Sequence, residues 1–215
     1  VTAMPGPVYP VRVRGDLDPG VSRWLWIVKW ILAIPHYIVL LFLSIAYVAV
    51  TIVAFFAILV TGAYPRALFD FNVGVMRWSW RVRFYALSQL GTDRYPPFSL
   101  EPDPEYPADL EVDYPAQFNR GLVLIKWWLL AIPQYLIVGA LLYGGRNTLA
   151  PMATLVLVAL IGLLFTGAYP AGLFDFLMGI NRWSLRVRAY VSLMTDEYPP
   201  FRLDQGAREP DAAAS

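Results

Sequence analysis

The sequence predicts an all-α membrane protein made of two tandem copies of one unit, and three observations carry that prediction. Hydrophobic residues are 58% of 215 and charged residues 15%, whereas a soluble domain is nearer half apolar and a quarter charged. The charge lies in blocks between long apolar runs, and mean hydropathy is +0.50. A long series of short motifs also occurs twice, in the same order.

The repeat is dense. Lys29-Trp30, Ala33-Ile34-Pro35 and Tyr37 return as Lys126-Trp127, Ala131-Ile132-Pro133 and Tyr135. Thr61-Gly62-Ala63-Tyr64-Pro65 and Leu68-Phe69-Asp70-Phe71 return as Thr166-Gly167-Ala168-Tyr169-Pro170 and Leu173-Phe174-Asp175-Phe176. Arg77-Trp78-Ser79, Arg81-Val82-Arg83 and Tyr95-Pro96-Pro97-Phe98 return as Arg182-Trp183-Ser184, Arg186-Val187-Arg188 and Tyr198-Pro199-Pro200-Phe201. Tyr37 and Tyr135 are 98 positions apart, Thr61 and Thr166 are 105 apart, so the second copy holds seven extra residues inside its apolar region.

In chain order, the first repeat covers residues 1–100. Val11-Arg12-Val13 alternates like a strand. The apolar run from Trp24 to Gly62 is too long for a cleaved leader and reads as a retained anchor. As one helix it would reach about 58 Å, against a hydrocarbon core of roughly 30 Å. The expectation is therefore a hairpin of two transmembrane helices, 22–44 and 46–62, turning near Ser44 to Tyr47. Pro35 should kink the first of them. After the Gly-Ala-Tyr-Pro break, residues 66–90 mix Trp, Phe and Tyr with Arg. Arg77, Ser79, Arg81 and Arg83 alternate with Trp78, Trp80 and Val82, but a stretch of over twenty residues without a turn signal favours an amphipathic interfacial helix. Phe98-Ser99-Leu100 reads as a short strand.

A Pro-rich linker, 101–113, has six acids and no base. The second repeat, 106–204, follows the same plan: a strand at Leu110-Glu111-Val112, helices 121–143 and 150–167, an interfacial helix 171–194, and a strand at Phe201-Arg202-Leu203. The turn between its transmembrane helices falls on Gly144-Gly145-Arg146-Asn147-Thr148. Each copy is expected to build a small β patch beneath its own hairpin, and residues 205–215 read as a mobile tail. On this plan all Lys and Arg except Arg146 lie on one side, 16 of the 17. The positive-inside rule then places both termini and the linker in the cytoplasm.

Several functions lack their residues. With no Cys there is no thiolate chemistry or disulfide. No phosphate loop, dinucleotide fingerprint or metal-ligand spacing occurs, so no catalytic residue, metal or cofactor is predicted. A net charge of +1 gives no field for nucleic acid. Asp70 and Asp175 read as proton or ion sites, or as helix-start acids paired with an Arg; the structural role weighs more. His36 and its counterpart Gln134 read as polar groups serving backbone freed by the Pro kink. Arg77, Trp78, Arg81, Arg83, Arg182, Trp183, Arg186 and Arg188 are the expected contacts to anionic lipid headgroups.

Together these motifs, over residues 9 to about 204, resemble an actinobacterial membrane family, domain of unknown function 4389. The resemblance implies a bacterial integral inner-membrane protein and brings no catalytic residue. The functional expectation is a non-enzymatic accessory or scaffold subunit of a larger membrane complex, contacting anionic lipid and other membrane-protein subunits. A small transporter or channel is the alternative, and a lipid-modifying enzyme the third reading.

Overall fold

A computed structural model describes residues 9–144 and 150–209. The expected turn at 144–148, with Arg146, falls almost wholly outside them. The elements in order are β1 (Val11–Gly15), α1 (Trp26–Leu32), α2 (Ile34–Thr61), α3 (Arg66–Ala86), β2 (Ala108–Val112), α4 (Arg120–Ile125), a π-helical turn (Lys126–Leu130), α5 (Ile132–Tyr143), α6 (Pro151–Thr166) and α7 (Ala171–Val191). The fold is mostly helical with one two-stranded sheet.

The first apolar run does not turn at Ser44–Tyr47. It breaks at Ala33, just before Pro35, and α2 then continues unbroken for 28 residues. No Gly or Pro occurs between His36 and Thr61, and the Thr51 hydroxyl stays inside the helix, bonding the Tyr47 carbonyl at 2.8 Å. The hairpin of the first copy is instead α2 against α3. Near the bend, the Asn72 amide donates to Thr51 Oγ1 at 3.1 Å and Tyr64 Oη at 2.9 Å. At the far end Trp78, Val82 and Tyr85 pack on Tyr37, Leu40 and Leu43. In the second copy the extra residues split the counterpart of α2 into α5 and α6. The four separate spans expected from the sequence are therefore not seen. Among the described residues, α2 is the one helix long and apolar enough to cross a membrane; the pair Arg120–Leu130 and Ile132–Tyr143, bent by 43°, is a second candidate, and α6 is shorter.

Two glycines close the long helices. Gly62 and Gly167 have φ of 76° and 74°, the left-handed region where a side chain is strained. Arg120 of the second copy lies against Gly62, and Arg23 of the first lies against Gly167. Each helix end thus meets a cation from the other copy, the sign that its dipole favours.

The π turn has a sequence cause. Lys29 and Lys126 are 97 positions apart, while Ala33 and Ala131 are 98 apart. One residue has been inserted between them, and a π turn absorbs a single extra residue without breaking the helix.

The sheet joins the copies instead of lying beneath each one. β1 and β2 pair antiparallel, with Val13 opposite Leu110, Arg12 opposite Glu111 and Arg14 opposite Asp109. Leu110 is itself the counterpart of Val13, so the ladder is two-fold symmetric about that pair. Residues 98–100 and 201–203 form no strands. They run as loops over α3 and α7, and Gly74 comes close enough to Leu100 that a β-carbon would sit 2.7 Å from its Cβ.

The helices expected in the membrane interface are the centre of the fold. Fourteen residues of α3 and fourteen of α7 are buried. The sheet packs on one side of them, and the apolar helices lie outside. The start of the expected mobile tail is also packed: Gly15 N donates to the Ala207 carbonyl at 2.9 Å, and Glu209 is buried.

Candidate functional site

The eight predicted headgroup contacts separate into two groups. Arg77, Arg81, Arg182 and Arg186 are buried and engaged. Arg77 Nε lies 3.0 Å from both Asp109 Oδ1 and the Leu110 carbonyl, and its Nη1 donates to the Leu100 carbonyl at 2.9 Å. Arg81 reaches Asp109 at 3.3 Å and the Glu101 carbonyl at 2.9 Å. On the other copy, Arg182 lies 3.0 Å from Glu209 Oε1 and donates to the carbonyls of Val13, Asp204 and Gly206. Arg186 pairs with Asp204 at 2.6 Å and with Glu209. Burial pushes the Arg81 and Arg182 guanidinium pKa down; Asp109 and Glu209 respectively pull it back. Arg77, Arg81 and Arg182 reach from one copy's helix to the other copy's strand, and Arg186 is held by Asp204 and Glu209 beside it. The donors of these four face carboxylates and carbonyls inside the protein, away from the lipid headgroups expected for them.

The symmetry of the two clusters breaks at one residue. Asp109 accepts from Leu110 N at 2.9 Å, and Glu209 accepts from Val13 N at 3.3 Å. The position that corresponds to Asp109 in the first copy is Arg12. A base there supplies no acid for Arg182 and Arg186, and Glu209 takes that place from beyond the repeat.

Trp78 and Trp183 are buried too. Trp78 Nε1 donates to His36 Nδ1 at 3.0 Å, and Trp183 Nε1 to Gln134 Oε1 at 2.7 Å. Gln134 passes the bond on to the Pro199 carbonyl at 2.8 Å, a backbone group of a distant loop and not one freed by the Pro133 kink. His36 stacks on Phe98 at 3.9 Å. Asp70 pairs with exposed Arg66 one turn away, 3.1 Å. Asp175 lies partly buried in α7 and makes no ion pair among the described residues. Lys29 and Lys126, repeated but given no role by sequence reasoning, are buried ion pairs of 2.7 Å with Asp93 and Asp196.

Arg83 and Arg188 remain. Both are half-buried, between α3 and α7. Arg83 Nη2 donates to Asn181 Oδ1 of α7 at 3.1 Å, and Arg188 Nη1 reaches Ser79 Oγ of α3 at 3.4 Å. Ser79 and Arg83 are one helical turn apart, Asn181 and Arg188 two, so the guanidinium groups cross between the helices. Arg188 also lies over the Tyr47 ring at 4.7 Å, and Tyr47 Oη donates to Ser192 Oγ at 2.5 Å. Among the described residues no carboxylate comes within 4.0 Å of either arginine. Burial, and next the charge of Arg188, push the Arg83 guanidinium down to about 10. Two neighbouring like charges without an acid have the chemistry to hold an anion, since an arginine fork matches the oxygens of phosphate or carboxylate. Tyr47, Ser79, Asn181 and Ser192 were missed by sequence reasoning. Asn181 replaces Met76 of the first copy, and that polar-for-apolar departure from the repeat was the available signal.

Residues 23–99 and 128–202 match the family described as Domain of unknown function (DUF4389). The chain belongs to the DUF4389 family. The two matched regions agree with tandem copies, and the second DUF4389 region opens inside the π turn, where the copies differ by a residue. No curated protein and no solved structure matches the chain.

Proposed function

We propose that this DUF4389 protein is a non-enzymatic, membrane-embedded accessory or scaffold subunit of the bacterial inner membrane, in contact with anionic lipid and with other membrane-protein subunits. The observation that carries the reading is its outer apolar surface. Along α2, Ile38, Leu41, Phe42, Ile45, Ile52 and Phe56 are each more than half exposed. Trp24 just before α1, Trp30 within it, and Leu136, Val158 and Phe165 of the second copy continue the surface. Exposed apolar patches on soluble monomers rarely exceed a few hundred Å², and water is a poor solvent for this one. The meeting of β1 with Ala207 and Glu209 supports a common side for both termini. The positive-inside rule assigns that side to the cytoplasm.

Flotation of the purified chain with phosphatidylcholine vesicles tests the membrane reading. A gentle native pull-down with mass spectrometry tests the scaffold reading, which expects a stoichiometric partner. A chain that stays in the aqueous fraction defeats the first, and a partner-free homo-oligomer defeats the second.

A further inference from the structure

We infer that the Arg83–Arg188 centre, with the groove beside it, is a binding site for one anionic lipid, the phosphate held between the two arginines and an acyl chain laid in the groove. The inference deepens the membrane reading above and rests on it.

The head end has the chemistry of a phosphate site. Each guanidinium has five N–H donors, and one from each is engaged by Asn181 or Ser79. Most of the remaining donors have no partner among the described residues. Ser79, Asn181 and the aromatic ring of Tyr47 hold the arginines from three elements. The charges are thus fixed in place, unlike those of mobile surface residues.

The tail end adjoins it. A groove of 420 Å³ lies between the copies, lined by Val48, Ile52, Phe56, Trp127, Val191 and Leu193 among others. Its volume falls within the about 300–1,000 Å³ of ligand pockets. Val48 follows Tyr47 directly, and Val191 and Leu193 flank Ser192, so the groove begins where the Arg188–Tyr47–Ser192 contacts end. Val48, Ile52, Phe56 and Trp127 belong to the exposed apolar surface, so the groove opens where lipid chains would be. An uncompensated pair of cations at the mouth of an apolar groove selects a molecule with an anionic head and an apolar tail. Charge complementarity therefore favours an anionic lipid over a neutral one, and over a soluble anion, which would leave the groove empty.

The test is native mass spectrometry of the detergent-purified chain offered equal phosphatidylglycerol and phosphatidylcholine. The wild type should retain one phosphatidylglycerol per chain. The Arg83→Gln/Arg188→Gln variant should lose about tenfold in its binding, the scale of one charge-assisted hydrogen bond. Arg66→Gln, at an exposed pair away from the centre, should bind as wild type. If the double variant does not fold, Arg83→Lys and Arg188→Lys singly keep the charge but lose the fork, and each should weaken retention. Equal retention in wild type and variants overturns the site. So does displacement of the lipid by inorganic phosphate, which would make the occupant a soluble anion. Flotation with phosphatidylcholine alone should be unchanged in every variant. Its failure in the wild type would defeat the membrane reading, whereas flotation without phosphatidylglycerol selectivity defeats only the site.

Discussion

Replacing Glu209 by Gln removes the acid that stands in for Asp109 in the second copy. The buried pair Arg182 and Arg186 then keeps one carboxylate, Asp204, and Arg182 keeps its three carbonyl acceptors. Breaking a buried ion pair by losing one partner costs about 3–5 kcal/mol. Because so many acceptors survive, Glu209→Gln belongs near the lower end, about 3 kcal/mol. Asp109→Asn is harsher: Asp109 is the one carboxylate paired with Arg77 and Arg81 among the described residues, so its loss belongs near about 5 kcal/mol. In a domain of this size a kcal/mol moves Tm by about 2–4 °C. Thermal unfolding in detergent should therefore show Glu209→Gln lower by roughly 6–12 °C, with Asp109→Asn lower still. A chain truncated after Arg208 should match Glu209→Gln. If Glu209→Gln and the truncation both unfold at the wild-type temperature, the residues beyond the repeat are not part of the core, and the account of the second cluster is wrong.

Other expectations follow from single contacts. Gln134→Ala leaves Trp183 Nε1 and the Pro199 carbonyl without their partner and should cost about 1–3 kcal/mol in denaturant unfolding. Gly167→Ala puts a β-carbon in the left-handed region and 2.0 Å from the Arg23 guanidinium; it should destabilise by more than about 1 kcal/mol, whereas Gly172→Ala, with open space around it, should be neutral or slightly stabilising. Phe42→Lys, at an α2 site 66% exposed, should leave unfolding in detergent unchanged yet weaken vesicle flotation, since a Lys at the centre of a membrane helix costs about 3 kcal/mol.

What the sequence disclosed was whatever repeats locally. The paired motifs placed both copies, the Gly-Ala-Tyr-Pro break gave the ends of α2 and α6, and the Pro35 and Pro133 breaks appear at Ala33 and Ala131. What it concealed was what covers each face. Alternating Arg and Trp in α3 look the same whether the arginines meet lipid phosphates or acids more than twenty residues away. The acids of 101–113 read as solvated because nothing local marks Asp109 as buried. The length argument failed for a different reason. Length says that the run must bend but not where: the first copy bends at Ala33 and then runs as continuous helix, and only the second is interrupted at its insertion. The arginines at 83 and 188 could be singled out only after their neighbours in sequence had found partners.

The self-matched ladder at Val13 and Leu110 bears on any single-unit relative. Such a unit would leave its one strand as an open edge, with unpaired N–H and C=O groups, and its arginines would lack the carbonyls that the opposite strand supplies. The complementary surface is another molecule of the same unit, so it should form a closed isologous dimer rather than a monomer. Joining two units in one chain replaces that encounter with an intramolecular one at millimolar effective concentration. It also releases the halves from identity. A base can stand at Arg12 opposite an acid at Glu111, one half can carry extra residues, and a single Asn181 can face Arg83, none of which a homodimer can encode on one side only.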